Sequence, residues 1–168
     1  MNYKPSLIAA MSTGISTRFS HWSALPLRLI VGYGFMAHGY AKLVRGPEHF
    51  VAILDALGVP FPEIAAWANI GVELLGGFAV LIGAFVTLAS IPMSIVLLTA
   101  IFTVHLPYGF SSVKLLAVTP AGPQFGPVGY EVNLLYIACL AVLVLGGAGP
   151  LSVDRMLFSA REKPHRAA

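Results

Sequence analysis

From Ile64 to Leu106 the chain runs for 43 residues with a single charged side chain, Glu73. A bilayer crossing takes about 20 residues at ~1.5 Å each, so this run is two crossings. Backbone inside hydrocarbon must satisfy its own hydrogen bonds, which makes both of them helices. Gly83 marks the break and predicts a tight hairpin between spans at 63–84 and 86–106, with Pro92 bending the second of them. Two further apolar stretches, 23–44 and 131–148, end at Arg45-Gly46-Pro47 and at Gly146-Gly147-Ala148-Gly149-Pro150. The fold class that follows is all-α, a polytopic membrane protein built as a four-transmembrane-helix up-down bundle over residues 23–150.

Composition agrees with this. Charged residues make up 10% of the chain and the mean hydropathy is +0.82, whereas soluble domains carry roughly 25% charged residues. Disorder, coiled coil and a disulfide-stapled fold are excluded by the same figures. The lone Cys139 leaves no C-x-x-C pair, so dithiol redox chemistry within this polypeptide is excluded as well. The basic residues are scattered and do not alternate with aromatics, which argues against a nucleic-acid partner. They read instead as a topology signal. Lys4 and Arg18 lie in the tail at 1–22, which is read as retained, and Arg155, Arg161, Lys163 and Arg166 in the tail at 151–168. Only Arg45 and Lys114 fall in the opposite loops, so both termini are expected in the cytoplasm.

Two connections stand out. Residues 45–62 are amphipathic, and Phe50, Ile53, Leu54 and Leu57 recur at helical spacing, which predicts a short interfacial helix over about His49–Leu57. Residues 107–130 are rich in Gly and Pro and are read as a long loop without regular structure, of the kind that covers a site.

Ionisable groups in hydrocarbon are functional candidates by default. Here they are Arg28, His38 and Lys42 in the first span, Glu73 in the second, His105 at the end of the third and Glu131 at the start of the fourth. At ~100° per residue, Arg28, Phe35, His38 and Lys42 form one stripe, and Asn69, Glu73, Gly76 and Gly77 share a face of the second span. Thr87, Ser90, Ser94 and His105 do the same on the third. Depth counting gives a polar column with His38, Lys42, His105 and Glu131 at the outer mouth, Glu73 near the middle and Arg28 toward the inside. Two readings follow. In one, Glu73 pairs with Arg28 or Lys42 and fixes helix register. In the other, the column binds a polar head group or exchanges protons. Haem or metal ligation by His38 and His105 is disfavoured, since no second histidine pair and no H-x-x-x-H spacing is present, and no metal ligands are assigned.

The same residues carry a resemblance. Arg28-Leu29 and His38-Gly39-Tyr40-Ala41-Lys42-Leu43, Leu57-Gly58-Val59-Pro60, and Val72-Glu73-Leu74-Leu75-Gly76-Gly77 occur in that order. His105-Leu106-Pro107-Tyr108-Gly109-Phe110, Gly129-Tyr130-Glu131 and Gly147-Ala148-Gly149-Pro150-Leu151-Ser152-Val153-Asp154 follow them. In these pieces, over roughly residues 22–157, the chain resembles the DoxX family of small four-span bacterial and archaeal membrane proteins. The resemblance implies a multi-pass protein of the plasma membrane, with Arg28, Lys42, Glu73 and His105 at the family's typical polar positions. It also implies kinship with the membrane subunit of a thiosulfate:quinone oxidoreductase. The expected function is a quinone-linked membrane subunit of an oxidoreductase, active only with other subunits or as a homo-oligomer, with no cofactor in the chain itself beyond a bound quinone. His38, Glu73 and His105 would be its catalytic, proton-exchanging groups, and Arg28, Lys42, Asn69 and Glu131 would bind the ligand. The alternative is a non-catalytic membrane anchor, assembly factor or small-solute carrier.

Overall fold

The computed structural model describes residues 20–159. Most of the two tails, with Lys4, Arg18, Arg161, Lys163 and Arg166 on which the orientation was counted, lies outside the described residues.

After a single turn at Ser20–Trp22 come helices α1 (Ala24–Arg45), α2 (Pro47–Ala56), α3 (Pro62–Ile82) and α4 (Val86–Tyr108). A β-hairpin, β1 (Leu115–Thr119) and β2 (Gly122–Phe125), leads to α5 (Glu131–Gly146) and the short α6 (Val153–Ser159). Prolines open α2 and α3, where the missing N–H belongs to a group the helix leaves unpaired anyway. Gly83 ends α3 with φ +70°, and α4 begins three residues later at Val86. The apolar run of the sequence is thus two antiparallel helices, both long and apolar enough to cross a membrane. Of the other two long helices, α1 has 22 residues but carries Arg28, Lys42 and Arg45, and α5 is an apolar helix of 16 residues.

Val31, Phe35, Val80, Met93, Leu140 and Leu143 fill the centre of the bundle. The outward faces are apolar too, with Leu75, Leu88, Ile95, Phe102 and Leu145 all exposed. Water does not favour so much contiguous apolar surface, and hydrocarbon does. The close contact between α1 and α3 runs through glycine. A Cβ on Gly77 would lie 2.8 Å from the Gly32 carbonyl oxygen and 2.9 Å from Met36 Cγ, so the two backbones meet as small-residue helix interfaces do in lipid.

Three local features differ from the sequence expectation. The loop at 107–130 is not without regular structure. It holds the antiparallel hairpin, with Leu115 opposite Phe125 and Thr119 opposite Gly122. Its turn residues Pro120-Ala121 and the short apolar stretch Leu115–Val118 were masked in the reading by the surrounding Gly and Pro. The interfacial helix begins at Pro47, two residues earlier than the apolar spacing suggested, because Pro at the first helical position starts it. Finally, α3 and α4 each contain one π-helical stretch, at Val72–Gly76 and Ile101–His105, which no periodicity argument reveals.

Gly77→Ala is expected to lower the midpoint of thermal unfolding of the detergent-solubilised protein by several degrees, as overpacking costs about 1–3 kcal/mol. Gly71→Ala on the same helix meets nothing within 4 Å and is expected to leave that midpoint within about 2 °C. Equal midpoints for the two variants would refute the close α1–α3 contact.

Candidate functional site

The polar residues of the four long helices separate into two clusters at opposite ends of the bundle. The first is centred on Arg28, which is 2% exposed. Among the described residues, no carboxylate lies within salt-bridge distance of its guanidinium. Nε donates to the Val80 carbonyl (3.2 Å), Nη1 to Ala148 (3.0 Å) and Pro150 (3.2 Å), and Nη2 to Leu81 (2.9 Å) and Leu151 (3.0 Å). These are all five donors a guanidinium has. They tie the N-terminal part of α1 to the end of α3 and to the segment after α5. Leu151 holds a left-handed conformation (φ +53°) unusual for its type, and its carbonyl is one of the five acceptors. Asp154 completes the closure, since its carboxylate accepts from the Phe85 (2.7 Å) and Val86 (3.1 Å) amides at the start of α4. A carboxylate at that helix N-terminus satisfies free N–H groups and complements the dipole. Arg28 is therefore fully engaged by the protein and does not reach the second cluster.

The second cluster surrounds a cavity of about 300 Å³ at the other end. Helix α1 contributes Phe35, His38 and Lys42, α3 contributes Glu73, and α4 contributes Val96, Leu97, Ala100 and His105. Val128 and Gly129 precede α5, which adds Val132, Asn133 and Tyr136. Lys42 Nζ donates to Asn69 Oδ1 (2.6 Å) and to both Glu73 oxygens (2.6 and 2.7 Å), and stands 4.3 Å from the centre of the Phe50 ring on α2. An ammonium has three N–H groups, so none remains. Glu73 and His105 each lie on a π-helical stretch. Such stretches are frequent at functional sites because the extra residue turns a side chain away from its α-helical direction.

His105 Nδ1 lies 3.0 Å from the Val128 carbonyl oxygen. A carbonyl only accepts, so Nδ1 carries a proton and donates it. Tyr136 packs edge-on against Phe35 at 5.6 Å between ring centres. Glu131 stays outside the cavity wall. It accepts from the Ser112 amide (3.0 Å) while Ser112 Oγ accepts from the Val132 amide (3.3 Å), a reciprocal cap that fastens the start of α5 to the loop before the hairpin.

The structure thus brings together His38, Lys42, Asn69, Glu73 and His105, with Asn69 reaching the cavity group through Lys42. It keeps Arg28 and Glu131 apart from them. Of the polar set on α4, Ser90 turns its hydroxyl to the Val86 carbonyl (2.7 Å), and only His105 lines the cavity. Sequence reasoning did not single out Asn133 and Tyr136. The signal was present, because polar groups three residues apart on an apolar span share a face. Among the described residues there is no group of three or more His, Cys, Asp and Glu side chains able to hold a metal ion.

Comparison with known proteins gives a consistent picture. The family model DoxX matches residues 23–106, which span α1 to α4 and contain Arg28, His38, Lys42, Glu73 and His105. Two proteins of Haemophilus influenzae (strain ATCC 51907 / DSM 11121 / KW20 / Rd), each named only as an uncharacterized protein, are similar along most of their length. One is 27% identical over 80% of this chain and 83% of its own. The other is 28% identical over 79% of this chain and 88% of its own. No solved structure matches the chain.

Removing Lys42 leaves the buried Glu73 carboxylate without its countercharge, so Lys42→Met is expected to destabilise the protein by about 3 kcal/mol. Adding Glu73→Gln to that variant should recover at least half of the loss. Thermal unfolding of both single variants and the double variant checks this, and strictly additive losses would show that the two side chains do not depend on one another.

Proposed function

This chain belongs to the DoxX family of membrane proteins, and we propose that it is a quinone-binding membrane subunit of an oxidoreductase. In this reading α1, α3, α4 and α5 all cross the plasma membrane, up and down, with both termini in the cytoplasm. Helix α5 alone covers about 24 Å at 1.5 Å per residue, and the segment that Arg28 holds beyond it supplies the remaining depth. The cavity end faces the outer surface and the Arg28 end the cytoplasm, in keeping with the sign of the charges on the connections.

The observation that carries the proposal is the cavity itself. Its wall of Phe35, Val96, Leu97, Ala100 and Val132 is apolar, and its polar groups come from all four helices. Its volume is at the lower end of that of small-molecule sites, about 300–1,000 Å³, which suits a single ring with an apolar tail leaving toward lipid. His38, Glu73 and His105 exchange protons with the ring oxygens, and partner subunits supply the other half-reaction. The full use of the Lys42 donors on Asn69 and Glu73 favours a second reading, in which the pair only fixes the register of α1 against α3 and the protein is a non-catalytic anchor or assembly factor.

Titration calorimetry of the purified protein in lipid nanodiscs with a decyl-substituted benzoquinone separates these. A saturable site weakened at least about fivefold by His38→Leu, at unchanged thermal midpoint, is expected from loss of one hydrogen bond. Absence of saturable binding by the intact protein would remove the quinone reading and leave the anchor.

A further inference from the structure

Among the described residues, Lys42 is the only lysine or arginine that lines the cavity, and it offers no donor to a ligand. Its three donors are taken by Asn69 and Glu73, and its charge is cancelled by the carboxylate. An anionic ligand would therefore enter a weakly polar space with no free countercharge, which is unfavourable.

The groups left to meet a ligand are His38, Asn133, the Tyr136 hydroxyl and one nitrogen of His105, beside the lone pairs that Glu73 keeps while it holds Lys42. The first three make no hydrogen bond among the described residues. His105 is different because its other nitrogen is already committed. The Val128 carbonyl that receives Nδ1–H is held in place by its neighbours, for the Gly129 amide donates to the Ser111 carbonyl (3.0 Å) and the Tyr130 amide to that of Gly109 (3.1 Å). In the tautomer that carries its single proton on Nδ1, Nε2 presents a lone pair. Asn133, Tyr136 and His38 can each supply a donor, but His105 Nε2 only accepts. A carbonyl oxygen placed against it meets lone pair with lone pair, whereas a hydroxyl donates to it.

We infer that the cavity selects an uncharged, hydroxyl-bearing head group, and holds a quinol more tightly than the corresponding quinone, with His105 Nε2 as the acceptor of the ring hydroxyl. This rests on the quinone reading above and adds the form that is bound and the residue that chooses it. Anaerobic calorimetry in nanodiscs with decyl-benzoquinone and its reduced quinol tests it. The quinol is expected to bind about five- to tenfold more tightly, the worth of one well-placed hydrogen bond. His105→Leu abolishes the preference, while His105→Gln, which keeps one donor for Val128 and one acceptor for the ligand, retains it. Equal affinity for the two forms in the intact protein, or an unchanged preference in His105→Leu, would overturn the inference and leave the quinone site standing. Binding of neither form removes the site and the inference together. Nitrogen NMR of isotope-labelled histidine gives a readout that needs no variant. Nε2 of His105 appears as the unprotonated nitrogen, and a ring protonated there sinks the assignment.

Discussion

Arg28 holds this bundle closed at one end. A guanidinium buried in an apolar helix bundle cannot shed its charge and must have every N–H satisfied. Here it is satisfied entirely by backbone carbonyls, from Val80 and Leu81 on one side and Ala148, Pro150 and Leu151 on the other. Those carbonyls belong to the last turn of α3 and to the chain beyond α5, where helices and turns leave acceptors without intrahelical partners. One side chain therefore connects three separate parts of the polypeptide. Gly83 shows how tightly this is built. A Cβ there would stand 2.7 Å from the Arg28 guanidinium carbon, and only glycine combines that approach with the left-handed turn into α4.

The opposite end answers a different need. Lys42 and Glu73 neutralise each other there, and Asn69 takes the remaining ammonium donor. The pairing cancels the Lys42 charge beside the cavity, which His38, His105, Asn133 and Tyr136 also line. Order at one end thus allows openness at the other. The Arg28 cage fixes the helices where they meet, so that they can stand apart around the cavity without losing register. The loop before α5 is part of the same arrangement. Its cap between Ser112 and Glu131 positions Val128, and Val128 in turn orients His105.

The polar stripe on α1 was legible in the sequence, since Arg28, Phe35, His38 and Lys42 fall on one face of any helix drawn through them. What the stripe could not reveal is that its two ends serve different purposes. Arg28 and Lys42 are both basic residues on an apolar helix, and nothing in their identities distinguishes a cation caged by carbonyls from one paired with a carboxylate. Glu131 illustrates the converse. Its place at the start of a span made it a candidate at the mouth of the site, yet its carboxylate is used on the Ser112 amide. Asn133 and Tyr136 were harder to weigh, as neither is ionisable and both pass for ordinary residues of an apolar helix.

The sequence by itself determined that the chain enters a membrane as helices, where the hairpin between α3 and α4 falls, and which residues are too polar to face lipid. Those conclusions need only hydrophobicity, the length of a helical crossing and the rule that buried polar groups find partners. Only the tertiary structure decided which partner each found. The carbonyls around Arg28 and the Asn69 and Glu73 groups around Lys42 come from segments far apart in the chain. Such contacts leave no periodic trace, because the groups that make them are largely backbone, and every residue but proline carries the same backbone donor and acceptor.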